Sequence, residues 1–289
     1  TCGFLQEARE EALAEIQKLV EQKQAGQLQK ILVTGCMAQW WRDQLAQRCP
    51  QADGFVGVSG YENLPQVIDQ ALRGEHPALF GDIDAPIPET DRVVCTSDYW
   101  AWLRIAEGCD NRCAYCVIPR ARGSVRSRAE ESILGELAAL AKGGYTEEVF
   151  PGINLSSYGR DTGTDLAEIV EKAAQVPGIR RIRLGSLEPD LMTEEMIARM
   201  ARVPALCPQF HLSLQSGCDA TLRRMRRIYD TAGYRAVVEK LRAAFPGASF
   251  TTDVIVGFPG ETEEEFRQSL GFVRACGLSK IHIFPYSRR

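Results

Sequence analysis

The sequence predicts an α/β protein in two parts: a short parallel layer of alternating helices and strands, then an open, partial (βα)6 barrel. Two observations carry this. Helical and strand-like hydrophobic patterns alternate along the whole chain, and beyond residue 98 strand-like segments recur about every 30 residues. In the first part, Ala8 to Val20 reads as helix, Lys30 to Thr34 as strand, Trp40 to Arg48 as helix, Gly54 to Val58 as strand and Asn63 to Arg73 as helix. This domain is expected to span 1–75, and the stretch 76–98, with Pro77, Gly81, Pro86 and Pro88, reads as a linker. In the second part, 99–289, the strands are expected at Trp102 to Ala106, Glu148 to Ile153, Arg180 to Leu184, Phe210 to Leu214, Ser249 to Val256 and Lys280 to Phe284. Helical stretches separate them, such as Glu130 to Lys142, Asp165 to Ala174, Thr193 to Met200, Tyr234 to Ala244 and Glu263 to Cys276. Six such units favour an open barrel over a closed ring of eight, with the active site at the strands' C-terminal ends.

The net charge of -4 and pI near 5.6 argue against a protein that binds nucleic acid through its global field, leaving a local basic patch as the alternative. No signal segment or membrane-length apolar run is present in the sequence given, so a cytoplasmic, membrane-free setting is expected. There the ten cysteines are expected to be thiols or metal ligands and not disulfides. Thr1-Cys2-Gly3-Phe4 runs almost directly into a helix, which reads as a start inside a folded unit, hence a truncated first domain.

The sharpest feature is Cys109-x3-Cys113-x2-Cys116, in a loop after the first barrel strand. Thiolates suit zinc or iron-sulfur clusters; a zinc site normally wants a fourth protein ligand, and no nearby histidine offers one. Three thiolates on a cubane cluster would leave one iron open to bind something else.

With the aromatic Tyr115, this triplet resembles the signature of the radical S-adenosylmethionine (SAM) superfamily. The resemblance narrows to the methylthiotransferases on blocks spread over nearly the whole chain: Thr34 to Gln39, Ile118 to Gly123, Gly152 to Gly159, Leu187 to Pro189, Leu214 to Gly217, Met225 to Tyr229 and Thr252 to Thr262. It implies a flavodoxin-like N-terminal domain, a radical SAM barrel and a C-terminal β-barrel substrate domain that would follow Tyr286. It implies a [4Fe-4S] cluster on Cys109, Cys113 and Cys116 whose open iron chelates SAM, the radical formed then abstracting a hydrogen atom. A second [4Fe-4S] cluster is implied, with Cys2 and Cys36 matching two of its three ligands and the third expected upstream; read without the resemblance, both are buried small residues.

Tyr115, Asn154, Glu188, Gln215, Arg227 and Gly257 are the candidate SAM contacts, as polar residues or glycines near strand ends. The alternative for Glu188 is a solvated loop carboxylate or helix cap, and for Gly257, Gly260 and Glu261 a plain turn into a helix with Thr262 and Glu265 as capping box. Arg120, Arg122, Arg126 and Arg128, with Arg223, Arg224, Arg226 and Arg227, form two clusters that either hold phosphates or stand on a solvated face. Trp40, Trp41, Trp100 and Trp102 read as packing residues. His76, His211 and His282 suggest no metal site, and Cys49, Cys95, Cys207, Cys218 and Cys276 read as core or surface thiols.

The resemblance implies methylthiolation at C2 of N6-threonylcarbamoyladenosine in a tRNA anticodon stem-loop, with an electron donor as second partner. The opening Thr1-Cys2-Gly3-Phe4 is more similar to the branch that modifies an aspartate of a ribosomal protein. A reading of another class is a module that binds iron-sulfur and SAM without inserting sulfur.

Overall fold

The computed structural model describes residues 1–87, 92–95 and 97–288, so Pro88 of the expected linker lies outside the described residues. The chain forms two compact units, one of 1–90, 115–124 and 287–289, the other of 91–114 and 125–286.

In the first unit, helix α1 (Gln6–Gln24) buries Ile16 and Val20 on one stripe and stops before Gly26 at φ 74°. Strands β1 (Leu32–Thr34), β2 (Gly54–Val56) and β3 (Ala78–Leu79) pair in parallel in that order. The third strand stands in the stretch read as linker. Helix α4 (Leu64–Leu72) follows β2, and α5 (Ile118–Arg122) belongs to this unit. The helix expected over Trp40 to Arg48 is instead two, α2 (Cys36–Trp41) and α3 (Asp43–Arg48), because Arg42 between them takes φ 43° and cannot continue a right-handed turn.

The second unit has the expected parallel α/β order with two departures. A three-stranded sheet, β4 (Trp100–Trp102), β7 (Glu147–Phe150) and β8 (Arg181–Leu184), is parallel throughout. A four-stranded sheet runs β9 (Ser186–Leu187), β10 (Gln209–Leu212), β11 (Ser249–Val256) and β12 (Lys280–Pro285), also parallel. The first departure is at Trp102 to Ala106: the strand ends at Trp102, and β5 (Ala106–Glu107) leaves to form an antiparallel pair with β6 (Arg126–Ser127). The second is at Gly185, which separates β8 from β9. Its N–H donates to the Phe150 carbonyl at 2.9 Å, and a Cβ there would lie a tight 3.1 Å from that same oxygen, so glycine eases the close approach where the third barrel strand crosses from one sheet to the other. Counting β8 and β9 as one path gives the six βα units the sequence predicts.

Helices α6 (Glu130–Lys142), α7 (Leu166–Ala173), α8 (Glu194–Met200), α9 (Asp219–Arg224), α10 (Thr231–Ala244) and α11 (Glu263–Ala275) connect the strands. Asp165, Thr193, Asp230 and Thr262 accept from the backbone of α7, α8, α10 and α11 as N-caps, and the Thr262/Glu265 capping box is complete. One core joins Leu103, Phe150, Ile182, Leu184, Phe210, Leu212, Phe250 and Val254 to Leu137, Val170, Val238 and Leu241 of the helices. Within the described residues, no helix is long and apolar enough to cross a membrane.

Glu148 of β7 is fully buried beside this core, and among the described residues neither carboxyl oxygen has a hydrogen-bond partner. Burial pushes its carboxyl up to about 7 from an ordinary 4.5, Arg92 opposing. Because the folded-state value is raised, the folded chain holds a proton that the unfolded chain gives up between those values. Stability therefore falls as pH rises from about 5 to about 8, by about 3 kcal/mol if this group acts alone. Denaturant unfolding at both pH values checks this; Glu148→Gln is expected to remove that share of the pH dependence.

Candidate functional site

The three cysteines stand on the chain's passage from the second unit into the first, with Cys109 and Cys113 in the former and Tyr115 and Cys116 in the latter. Cys109 is buried, and Cys113, Tyr115 and Cys116 are half-buried. Gly108 turns the chain at φ 78° into this irregular segment. Two hydrogen bonds fix its second-unit part: Ala114 N–H donates to the Met225 carbonyl at 3.0 Å, and Val125 N–H to Asp110 Oδ1 at 3.0 Å. The first ties the cysteine loop to the chain just before Arg227.

Arg227 has a side chain 3% exposed. Its Nη1 donates to Cys113 Sγ at 3.0 Å, its Nε to Tyr229 Oη at 3.0 Å, and its Nη2 to Glu188 Oε2. A buried guanidinium is tolerable only when so paired, since its desolvation is otherwise uncompensated. Tyr229 passes the connection on, donating to the Ser213 carbonyl beyond β10. Burial pushes the Glu188 carboxyl up to about 7 against the opposing pull of Arg227, and pushes the Tyr229 hydroxyl up as well. Glu188 N–H donates to Ser156 Oγ at 3.0 Å, linking the loops after β7 and β9. Tyr229 closes the Met225 to Tyr229 block, and its position two residues from a buried arginine gives it its role, which pattern alone does not reveal.

Of the other candidates, Asn154 is buried just after β7, and among the described residues its Oδ1 has no hydrogen-bond partner. Gln215, buried, takes φ 68°, held by its N–H on the Asp253 carbonyl at 2.8 Å and its own carbonyl on Ile255 N–H at 2.9 Å. A non-glycine residue in that region stores strain of about 1–3 kcal/mol. Gly257 follows β11 at φ 71°, and a Cβ there would meet nothing within 4 Å, so glycine serves the turn and leaves the space above it open. Glu261 accepts from Gly257 N–H at 2.6 Å and so is spent closing that turn.

In the first unit, residues 1–3 fold onto the 34–37 segment. Thr1 N donates to the Thr34 carbonyl at 2.6 Å, Met37 N–H to the Thr1 carbonyl at 3.3 Å, and a Cβ on Gly35 would strike Thr1 N at 2.7 Å. Exposed Cys2 and buried Cys36 thus sit on adjoining segments, and Arg122 Nε donates to Cys36 Sγ at 3.1 Å.

The arginine clusters are neither wholly solvated nor wholly free to bind. Arg128 pairs with Glu136 at 2.7 Å, Arg224 with Glu265 and Arg227 with Glu188, while Arg120, Arg223 and Arg226 are exposed. Trp102 is 44% exposed and meets Trp100 edge-on at 5.3 Å, so it is not a core residue. Burial pushes the Cys49 and Cys276 thiols up, Cys207 and Cys218 are buried, and Cys95 is exposed. Of the histidines, which the sequence reads as suggesting no metal site, two stand beside one carboxylate: His211, Asp253 and His282 bring one ligand atom each within 4.8 Å of one another. These three lie on three different strands and share no sequence pattern.

The residues fit the groups the resemblance implies. A soft three-thiolate donor set with a guanidinium on one sulfur suits an iron-sulfur cluster, because hydrogen bonds to the sulfurs stabilise the anionic ligand. The orphaned Asn154 Oδ1 and the Glu188 carboxylate offer acceptors for a cationic, amine-bearing cofactor.

Residues 103–273 match the family model described as "Radical SAM superfamily", and residues 1–57 that described as "Uncharacterized protein family UPF0004". The chain is 37% identical over its whole length to the ribosomal protein uS12 methylthiotransferase RimO of Heliobacterium modesticaldum, covering 63% of it. It is 36% identical, again over its whole length, to the tRNA-2-methylthio-N(6)-dimethylallyladenosine synthase of Dictyoglomus thermophilum, covering 66% of it. The chain thus spans a little under two thirds of these curated relatives. Among solved structures, the radical S-adenosylmethionine methyltransferase TsrM of Kitasatospora setae shares the fold with a TM-score of 0.70 at 15% identity, over 94% of this chain and 58% of that one.

Glu188→Ala is expected to leave the buried Arg227 guanidinium without its carboxylate and to cost about 3–5 kcal/mol of unfolding free energy, with Glu188→Ala/Arg227→Met recovering most of it. Denaturant titration of the metal-free protein reads both.

Proposed function

The chain belongs to the radical SAM superfamily, and from that premise we propose that it is a cytoplasmic methylthiotransferase acting on C2 of N6-threonylcarbamoyladenosine in the tRNA anticodon stem-loop, with a separate electron donor. The observation that carries the reading is the Cys109-x3-Cys113-x2-Cys116 segment with Arg227 on Cys113 Sγ. Cys109, Cys113 and Cys116 would hold a [4Fe-4S] cluster, and Cys2 and Cys36 would give two ligands to a second. When bound, the first cluster and SAM supply the radical chemistry that activates a C–H bond.

The chain's own residues bind and orient. Arg227 neutralises the Cys113 thiolate and fixes its direction; Glu188 balances Arg227 and, with Asn154, accepts from the cofactor's amine or hydroxyl groups. Tyr115, Gln215 and Gly257 are assigned to the same cofactor: the first for its place inside the triplet, the others for backbone shapes that keep the strand ends open. Arg122 does for Cys36 what Arg227 does for Cys113.

The tRNA reading is supported by the similarity of Gly152 to Gly159 and Leu214 to Gly217 to the threonylcarbamoyladenosine enzymes, and by exposed Arg120, Arg223 and Arg226, free to meet phosphates. Modification of a ribosomal-protein aspartate is the second reading, favoured by Thr1-Cys2-Gly3-Phe4 and by similarity to a relative named for uS12.

After anaerobic reconstitution with iron and sulfide, the protein is expected to yield 5'-deoxyadenosine from SAM only when reductant is added. Cys113→Ala is expected to lose that product and most of the cluster's iron; deoxyadenosine formation indifferent to Cys113 would refute the assignment. Mass spectrometry after incubation with threonylcarbamoyladenosine-containing tRNA or with ribosomal protein uS12 separates the two substrates, the methylthio increment being expected on the tRNA.

A further inference from the structure

One face of the four-stranded sheet of the second unit joins the core that the helices complete. Phe210, Leu212, Phe250 and Val254 join the core with Val238 and Leu241 of α10, so strand alternation turns Gln209, His211, Thr251 and Asp253 to the opposite face. His282 pairs in register with Asp253, and His211 with Thr251 one pleat away. His211 Nε2 lies 3.3 Å from Asp253 Oδ2, and the two imidazole centroids are 6.0 Å apart. The three residues are the one group among the described residues whose ligand atoms all come within 4.8 Å of each other.

We propose that His211, Asp253 and His282 bind a divalent transition-metal cation of the zinc class. Two imidazoles and one carboxylate form a borderline donor set that suits zinc and its neighbours; magnesium and calcium want more oxygen ligands. Tetrahedral bonds of about 2.0–2.1 Å place neighbouring ligand atoms about 3.3 Å apart, the separation seen between His211 and Asp253. His211 Nδ1 rests 3.0 Å from Thr251 Oγ1, which turns the ring so that Nε2 faces the other two ligands, the outer-shell arrangement of histidine metal sites. Side chains of His211 and Asp253 are 16% and 28% exposed and His282 is exposed, so the ligands are ordered at one end and accessible at the other. Three protein ligands leave a coordination position open to water or an anionic oxygen. The site differs in donor chemistry from the cysteine triplet and stands or falls independently of the methylthiotransferase reading.

Cobalt(II) titration of the chelator-treated protein carrying Cys109→Ala/Cys113→Ala/Cys116→Ala tests it, followed by displacement with zinc. One equivalent is expected to bind with visible d–d bands and no thiolate-to-cobalt charge transfer. Asp253→Asn and His282→Ala in the same background are expected to abolish those bands, and Thr251→Val to weaken binding about 10–100-fold while keeping every ligand. Far-ultraviolet circular dichroism of the metal-free variants controls for folding; because His282 is exposed, its truncation is expected to leave the spectrum unchanged. Cobalt bound only through thiolates, or with bands unaltered by both ligand substitutions, would overturn the proposal.

Discussion

A guanidinium buried at 3% exposure has to be answered on several sides, and Arg227 is answered by Cys113, Tyr229 and Glu188. These partners come from three stretches far apart in sequence: the cysteine loop, the chain after α9 and the end of β9. The cost of leaving such a charge unpaired is several kcal/mol, so the pairing selects one relative arrangement of the three loops. The Ala114–Met225 backbone bond and the Tyr229 bond to the Ser213 carbonyl then carry that arrangement into the scaffold.

The scaffold meets this demand through breaks in regular structure at strand ends. Gly185 lets the third strand change sheets, Gln215 kinks the chain after β10 at positive φ, and Gly257 turns it after β11. Each break lies just before or after a polar candidate, so the edge of the sheets is shaped by backbone conformations that a continuous strand could not supply. Where the chain has no such duty, ordinary rules hold, as the capped starts of α7, α8, α10 and α11 show.

Charge is used sparingly. Of the two arginine clusters, Arg128, Arg224 and Arg227 are held by carboxylates and Arg122 by a thiol, Arg126 is half-buried, and Arg120, Arg223 and Arg226 are exposed. An acidic chain can thereby keep exposed positive charge on each unit without a global field. Glu148 shows the opposite economy: a buried carboxyl with no hydrogen-bond partner among the described residues, held more protonated than usual by its surroundings.

The sequence by itself determined the α/β order, most helices and their caps, the cysteine triplet and the position of its loop after the first barrel strand. All of these rest on local periodicity, capping chemistry or short spacing, which one stretch of chain carries alone. Only the tertiary structure decided that the helix over Trp40 to Arg48 breaks at Arg42, that the first barrel strand ends at Trp102, and that the segment read as linker holds a strand. It also decided that Arg227 belongs to Cys113 and Glu188, that residues 1–3 lie on the 34–37 segment, and that His211, Asp253 and His282 meet. Those outcomes depend on strand register and on which buried charge finds which partner, and both are fixed by contacts between residues tens of positions apart that no local pattern encodes.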